Sequence, residues 1–292
     1  MYKMSQYMYI AAFMTLAVAF LLYLWYTVAS RKVRIAQLAL ADGRMGQATS
    51  SGSLGEIGKY ATIFSANTVA FLTLWLLFRT IATGHGPFAN MYEFSVSFAW
   101  GIMVSYVYFE WRYKVRSLGI FATLVAAGML WYAYTVPSEV QPLVPALQNN
   151  LLLSIHVAVA IVAYGTFALA FGTALLFLVQ TDDHIEWLPS QALLDEIGYK
   201  AVILGFPMMA LVIILGALWA DVAWGTYWSW DPKETASLVT WLIYGGYLHA
   251  RTMRGWRGTR SAVLLLIGFA ATLFTYFGNL FFGGLHSYAG LG

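Results

Sequence analysis

No cysteine occurs in the 292 residues. Disulfides, thiolate metal sites and thiol redox chemistry of the chain's own are therefore excluded; any thiol in its chemistry must come from another molecule. Charge is scarce too. Asp, Glu, Lys and Arg together make up 10%, against about 25% in a soluble domain. A surface so poor in charge excludes a soluble enzyme and a nucleic-acid binder. Strict polar–apolar alternation is missing as well, and the apolar runs are about twice the length of a membrane strand, which argues against a transmembrane barrel. Neither an internal repeat nor a polar stretch of domain length is present. The chain reads as one integral membrane domain over residues 1–292.

What is there is apolar: 60% hydrophobic and 17% aromatic residues, with a mean hydropathy of +0.68. A helix needs about 20 mostly apolar residues to cross a hydrocarbon core of roughly 30 Å. Eight stretches approach this, at 8–30, 60–80, 91–110, 117–134, 151–180, 199–219, 234–249 and 261–282. They predict an all-α polytopic bundle of about eight transmembrane helices. The seventh is short, and the third carries Glu93 near its start. The first is not a cleavable signal, because its basic cluster follows the apolar run. Lysine and arginine set the orientation. With the N-terminus outside, the inner loops hold Arg31, Lys32, Arg34, Arg44, Lys59, Arg112, Lys114, Arg116, Lys200, Arg251, Arg254, Arg257 and Arg260, and the outer side only Lys3, Arg79 and Lys233. Both termini are then expected outside. The inner loop 31–59, rich in Gly and Ser, reads as a flexible connector. His184, among Asp182, Asp183 and Glu186, reads as a solvated histidine.

This topology sorts the unusual residues by side. The turn at 84–87 with His85, the Pro-containing stretch 137–150, the tryptophan-rich loop 219–234 and the terminal His286 all fall outside, and His156 lies about six residues into the fifth stretch from its outer end. Within the loop, Trp219, Trp224, Trp228 and Trp230 fall inside twelve residues. One reading is an interfacial aromatic belt; the other is a shelf for a planar, apolar ligand such as a porphyrin. Asp231, Pro232 and Glu234 suit a helix start, as cap, first helical residue and capping-box partner. On that pattern Asp231 and Glu234 are structural, and Asn90 with Glu93 repeats the logic at the third stretch. Histidine inside a membrane is a functional hypothesis by default, and neutral imidazole is a good iron ligand. His156 and His286 could hold a haem from two sides, or each could be a hydrogen-bonded interfacial residue. His249 lies 18 residues beyond Asp231, about 27 Å along a helix. It cannot ligate the same iron, and a second imidazole at its depth would have to come from elsewhere.

The segment Trp224-Gly-Thr-Tyr-Trp228-Ser-Trp230-Asp231-Pro-Lys-Glu234 resembles the WWD motif of haem-handling proteins in c-type cytochrome biogenesis. With Tyr247-Leu-His249-Ala-Arg251, Gly283-Gly-Leu-His286-Ser-Tyr288 and Gly84-His85-Gly-Pro-Phe-Ala-Asn90-Met-Tyr-Glu93, it resembles the CcsA/ResC branch, from residue 84 onward. The resemblance implies haem b as bound ligand and substrate, with His156 and His286 as its iron ligands on the outer face and His249 as a further ligand near the inner side. Trp224, Trp228, Trp230 and Asp231 fall in the implied haem-binding set, while the part of His85 there stays open. It implies a CcsB/ResB-type membrane protein as partner, supplying the imidazole opposite His249. Apocytochrome c is the implied second substrate, its Cys-x-x-Cys-His thiols adding to the haem vinyls in a holocytochrome c synthase (haem lyase) reaction. That fits a chain without cysteine. The implied location is a bacterial plasma membrane or a thylakoid-type membrane. The alternative is a haem exporter or chaperone without attachment activity; a two-haem electron-transfer protein would pair histidines at both depths.

Overall fold

The computed structural model describes all residues except 42–50, 141–149, 181–184, 186–187, 279–280 and 287–292. His184, Ser287, Tyr288 and most of 137–150 therefore lie outside the described residues. Among those described there is no strand. Eight α-helices follow one another: α1 Tyr2–Ala41, α2 Ser51–Thr83, α3 Met91–Tyr113, α4 Gly119–Thr135, α5 Asn150–Val179, α6 Gln191–Trp224, α7 Pro232–Arg254 and α8 Thr259–Phe277. The protein is a polytopic helical membrane bundle. Each expected apolar stretch coincides with a helix, but most helices run past the apolar run that announced them.

The largest difference is at 31–59. Instead of a connector of that length, α1 continues to Ala41 and α2 begins at Ser51. The sequence following Ser30 is rich in Arg, Ala, Leu and Gln, all good helix formers, so the helix outlives the membrane segment. At the other end α8 stops at Phe277, short of the apolar run to 282.

Among the described residues, six helices are both long and apolar enough to cross a membrane, with spans at Tyr2–Ser30, Leu54–Thr83, Arg116–Thr135, Leu151–Val179, Gln191–Trp224 and Thr259–Phe277. Many large apolar side chains on them face outward, including Ile10, Leu21, Trp25, Ile63, Leu77, Ile214 and Ile267, the surface that lipid contact requires. Helices α3 and α7, 23 residues each, are more polar, and α3 shows why this is tolerated. It is enclosed by α2, α4 and α5, and its charges are paired internally. Glu93 meets Arg79 at 2.7 Å, both essentially without exposure. Glu110 accepts from Tyr23 Oη at 2.5 Å and from Thr62. Buried charge survives here because it is partnered.

Otherwise α1 packs chiefly on α2, α5 on α6 and α8, and α7 on α8 and α6. This up-and-down course brings the beginnings of α3, α5 and α7 to the same end of the bundle as the ends of α6 and α8. Their residues line one cavity there.

Candidate functional site

That cavity has about 840 Å³ not filled by protein atoms, counting the part open to the surroundings. Its wall is mostly apolar: Phe94 and Phe98 from α3, Leu153 and Val157 from α5, Val212 and Ile213 from α6, Tyr276 from α8. Two imidazoles, an amine and a carboxylate interrupt it: His156, His286, Lys233 and Glu234. An apolar hollow with a few convergent polar groups is the general form of a small-molecule site.

His156 reaches the cavity from the second turn of α5. It is opposite Gly216 of α6, and the contact is close: a Cβ at 216 would lie 3.0 Å from His156 Cε1. Glycine therefore gives the ring its place. His156 Nδ1 is buried and has no hydrogen-bond partner among the described residues. A buried polar atom left this way costs about 1–3 kcal/mol, a cost that a ligand taking up the imidazole would offset.

His286 comes from the segment after α8 and is held by Asp231. Its Nδ1 lies 2.8 Å from Asp231 Oδ1, and Leu285 N–H donates to Asp231 Oδ2 at 2.6 Å. Any Cβ at Gly284 would collide with Asp231 Oδ2, so glycine is needed for this approach. With Nδ1–H donating to the carboxylate, Nε2 carries the lone pair, which is how a second carboxylate orients a metal-binding imidazole. Burial alone would raise the Asp231 pKa. The hydrogen bond and charge of His286, with the backbone N–H groups of Lys233 and Leu285, outweigh it and hold the carboxyl down at about 2.

Asp231 also does what its sequence context predicts. It accepts from Lys233 N–H at 2.9 Å as the cap of α7, and Glu234 completes the capping box. Trp230, immediately before it, has a left-handed backbone (φ 60°), uncommon for a residue with a Cβ and frequent at functional sites. The tryptophans divide into three groups. Trp219 and Trp228 line the cavity together with Tyr227. Trp224 stands behind His286, edge-on at 5.2 Å between ring centroids. Trp230 turns outward with 69% of its surface exposed. The split follows from the chain reversal at Gly225, the left-handed cap that ends α6.

Two imidazoles from separate segments, one held by a carboxylate, with indole and phenyl rings around them, suit the iron of a flat aromatic macrocycle. A bare metal ion is poorly served: no group of three or more His, Cys, Asp or Glu suited to one occurs among the described residues.

The comparison with known proteins gives the family. The family described as Cytochrome C assembly protein matches residues 88–286, which include every residue of the cavity wall. This chain belongs to the cytochrome c assembly family. Among curated relatives, the "Cytochrome c biogenesis protein CcsA" of Guillardia theta is 35% identical over 263 residues, covering 80% of this chain and 86% of the relative. The CcsA of Chlamydomonas reinhardtii is 35% identical, covering 83% and 75%. That of Synechococcus sp. (strain JA-3-3Ab) is 35% identical, covering 80% and 86%. The assembly-family region starts just before α3 and leaves α1 and α2 outside it.

The remaining two histidines of interest lie off the cavity. His85 is buried, with Nδ1 2.8 Å from the Gly86 carbonyl oxygen and its own carbonyl accepting from Thr83 Oγ1, in the turn that leads into the assembly-family region. His249 is exposed near the far end of α7, on the outward stripe formed with Val239, Leu242, Gly246 and Met253.

Lys233 was legible in the sequence only as one of three outer cations, yet the fold aims it into the cavity. It is largely buried, with Nζ 5.8 Å from the centre of the Phe94 ring. A buried charge of this kind is costly, and Lys233→Met is expected to raise the thermal midpoint of the ligand-free protein by a few degrees at pH 7. A variant no more stable than the parent at pH 7 contradicts the burial of this charge.

Proposed function

We propose that the protein holds haem b between His156 and His286 on the outer side of the membrane and promotes its covalent attachment to apocytochrome c, as the haem-bearing part of a holocytochrome c synthase. The observation that carries this reading is the pair of imidazoles, one from α5 and one from the segment after α8, that line one cavity, with Asp231 holding His286. The two histidines would hold the iron, and Trp219 and Trp228 would give the macrocycle aromatic surface. The chemistry is an addition: each thiol of the Cys-x-x-Cys-His segment gives its sulfur and its hydrogen across one vinyl double bond, with no net oxidation. The chain's own part is to place those vinyls. Such orientation is worth several kcal/mol where the reacting atoms are held near 3–3.5 Å. The absence of cysteine keeps competing thiols out of the site.

Orientation rests on the basic residues, which collect at the end of the bundle opposite the cavity. The same rule makes α3 and α7 crossings, each about 34 Å long at 1.5 Å per residue, and puts both termini outside, in a bacterial plasma membrane or a thylakoid-type membrane. The cysteine-free chain allows a direct check with single cysteines and an impermeant thiol reagent in intact cells. Ser138→Cys is expected to label and Thr259→Cys not to; the reverse pattern puts the cavity on the wrong side.

His249 serves a second, inner haem, and a CcsB/ResB-type membrane protein supplies the opposite imidazole. Its exposure on α7 supports this, since a ligand shared with another chain must face outward. In the complex with that partner, His249→Ala is expected to lower co-purifying haem while the outer site still binds it. Unchanged haem content would make His249 a surface residue only.

Co-expression with the membrane partner and an apocytochrome tests the function as a whole. Covalent haem on the cytochrome that depends on this chain supports a synthase. Haem delivered to the outer side without thioether bonds would instead make the protein an exporter or chaperone.

A further inference from the structure

Lys233 is the exception among the cations of this protein. Among the described residues, five lysines and arginines are at least partly buried, and four of them have a carboxylate within reach. Arg79 pairs with Glu93, Arg116 with Glu110, Lys200 with Glu196 and Arg251 with Asp195. Among the described residues, none forms an ion pair with Lys233 and none accepts a hydrogen bond from its amine. Its two acidic neighbours in sequence are occupied elsewhere. Asp231 accepts from the backbone N–H groups of Lys233 and Leu285 and from His286. Glu234 Oε2 accepts from Ser229 N–H, Ser229 Oγ and Asp231 N–H, and Oε1 is buried with no partner among the described residues. A largely buried ammonium without a counter-charge is costly. Its position on the cavity wall says where the counter-charge belongs.

The axial pair leaves one degree of freedom open. Two histidines above and below an iron fix the plane of the macrocycle, but the ring can still turn about the axis that joins them. Only a contact at the rim stops that rotation. Haem is an apolar disc whose two propionates, its only peripheral charges, share one edge, with the vinyls placed away from it. Apart from the two imidazoles, the cavity presents apolar and aromatic surface, the neutral hydroxyls of Ser237 and Thr275, one carboxylate and one cation.

We infer that Lys233 anchors a propionate of the bound haem and so fixes the rotation of the ring that turns the vinyls toward the incoming thiols. This rests on the reading of the cavity as a haem site. Lys233 is then a positioning residue for haem attachment, acting on the edge of the substrate opposite the reacting groups.

The experiment is a titration at pH 7 of the purified complex with its membrane partner, using haem and haem dimethyl ester, which keeps the ring and iron but has no propionate charge. Charge-assisted hydrogen bonds support an effect of about ten- to a hundredfold. The parent should bind haem more tightly than the ester by that factor. Lys233→Met should lose it for haem and leave the ester unchanged, and Lys233→Arg should keep the preference. Equal loss for both ligands in Lys233→Met, or an undiminished preference for haem, overturns the inference. His156→Gly separates this from the underlying reading. Ligand binding that ignores His156 ends the haem assignment itself; binding that needs His156 but shows no preference between acid and ester ends only the role of Lys233.

Discussion

Haem attachment to a co-expressed apocytochrome should fall at least tenfold when either His156 or His286 is replaced by glycine, and free imidazole should restore part of it. Each replacement removes one strong ligand and leaves a hollow of about the size of the lost ring. His156 offers the cleaner test. Its ring fills the space that Gly216 leaves on α6, and its Nδ1 makes no hydrogen bond among the described residues, so the variant gives up little of the fold's polar network. External imidazole can occupy the same space with the same chemistry. Trp228→Ala should also lower attachment but should not respond to imidazole, because what it removes is contact with the ring and not a ligand. Matched levels of membrane protein are needed in every arm. Full attachment in both glycine variants would end the ligand assignment, and loss without any imidazole response would make the two histidines structural.

Asp231→Asn should weaken haem binding at the outer site by about ten- to a hundredfold, the usual consequence of disturbing the group behind a ligating histidine. The fold should survive, since asparagine is as good a helix cap as aspartate and can still accept the Lys233 N–H. What asparagine lacks is the capacity to accept from Leu285 N–H and His286 Nδ1–H together with that cap, and the charge that favours the donating tautomer. Asp231→Ala should do more damage, losing the cap as well, about 1 kcal/mol. The comparison separates two tasks of one carboxylate. Thermal melting reports the cap, and haem affinity reports the imidazole. If Asp231→Asn binds haem like the parent, the 2.8 Å contact with His286 has no part in setting the ligand.

This double task shows where sequence reading stops. The capping box is local: Asp231, Pro232 and Glu234 lie within four positions, and hydropathy with capping chemistry was enough to find the start of α7. At α3 the same logic held in part. Asn90 accepts from Glu93 N–H as expected, but Glu93 reaches Ala89 N–H and Arg79, because a buried arginine on α2 competes for the carboxylate. The link from Asp231 to His286 spans 55 residues and depends on how α8 packs on α7, which no local pattern encodes. Lys233 was hidden for a related reason. As the second residue of a helix it reads as surface charge, and only the arrival of α3, with Phe94 under its amine, makes it part of a cavity. The aromatic cluster was visible as composition, but its division into wall, support and exposed tip came from the reversal at Gly225. Helix length was misjudged at 31–59 because hydropathy measures the membrane and not the helix.

The central claim is that His156 and His286 together hold one haem. Its most direct measurement is the absorption and electron paramagnetic resonance spectrum of oxidised haem bound to the purified complex, with His249→Ala present to remove the inner site. The account predicts a low-spin, bis-imidazole iron that becomes high-spin in His156→Gly and in His286→Gly and returns to low-spin when imidazole is added. A low-spin spectrum that persists unchanged in both glycine variants would contradict it.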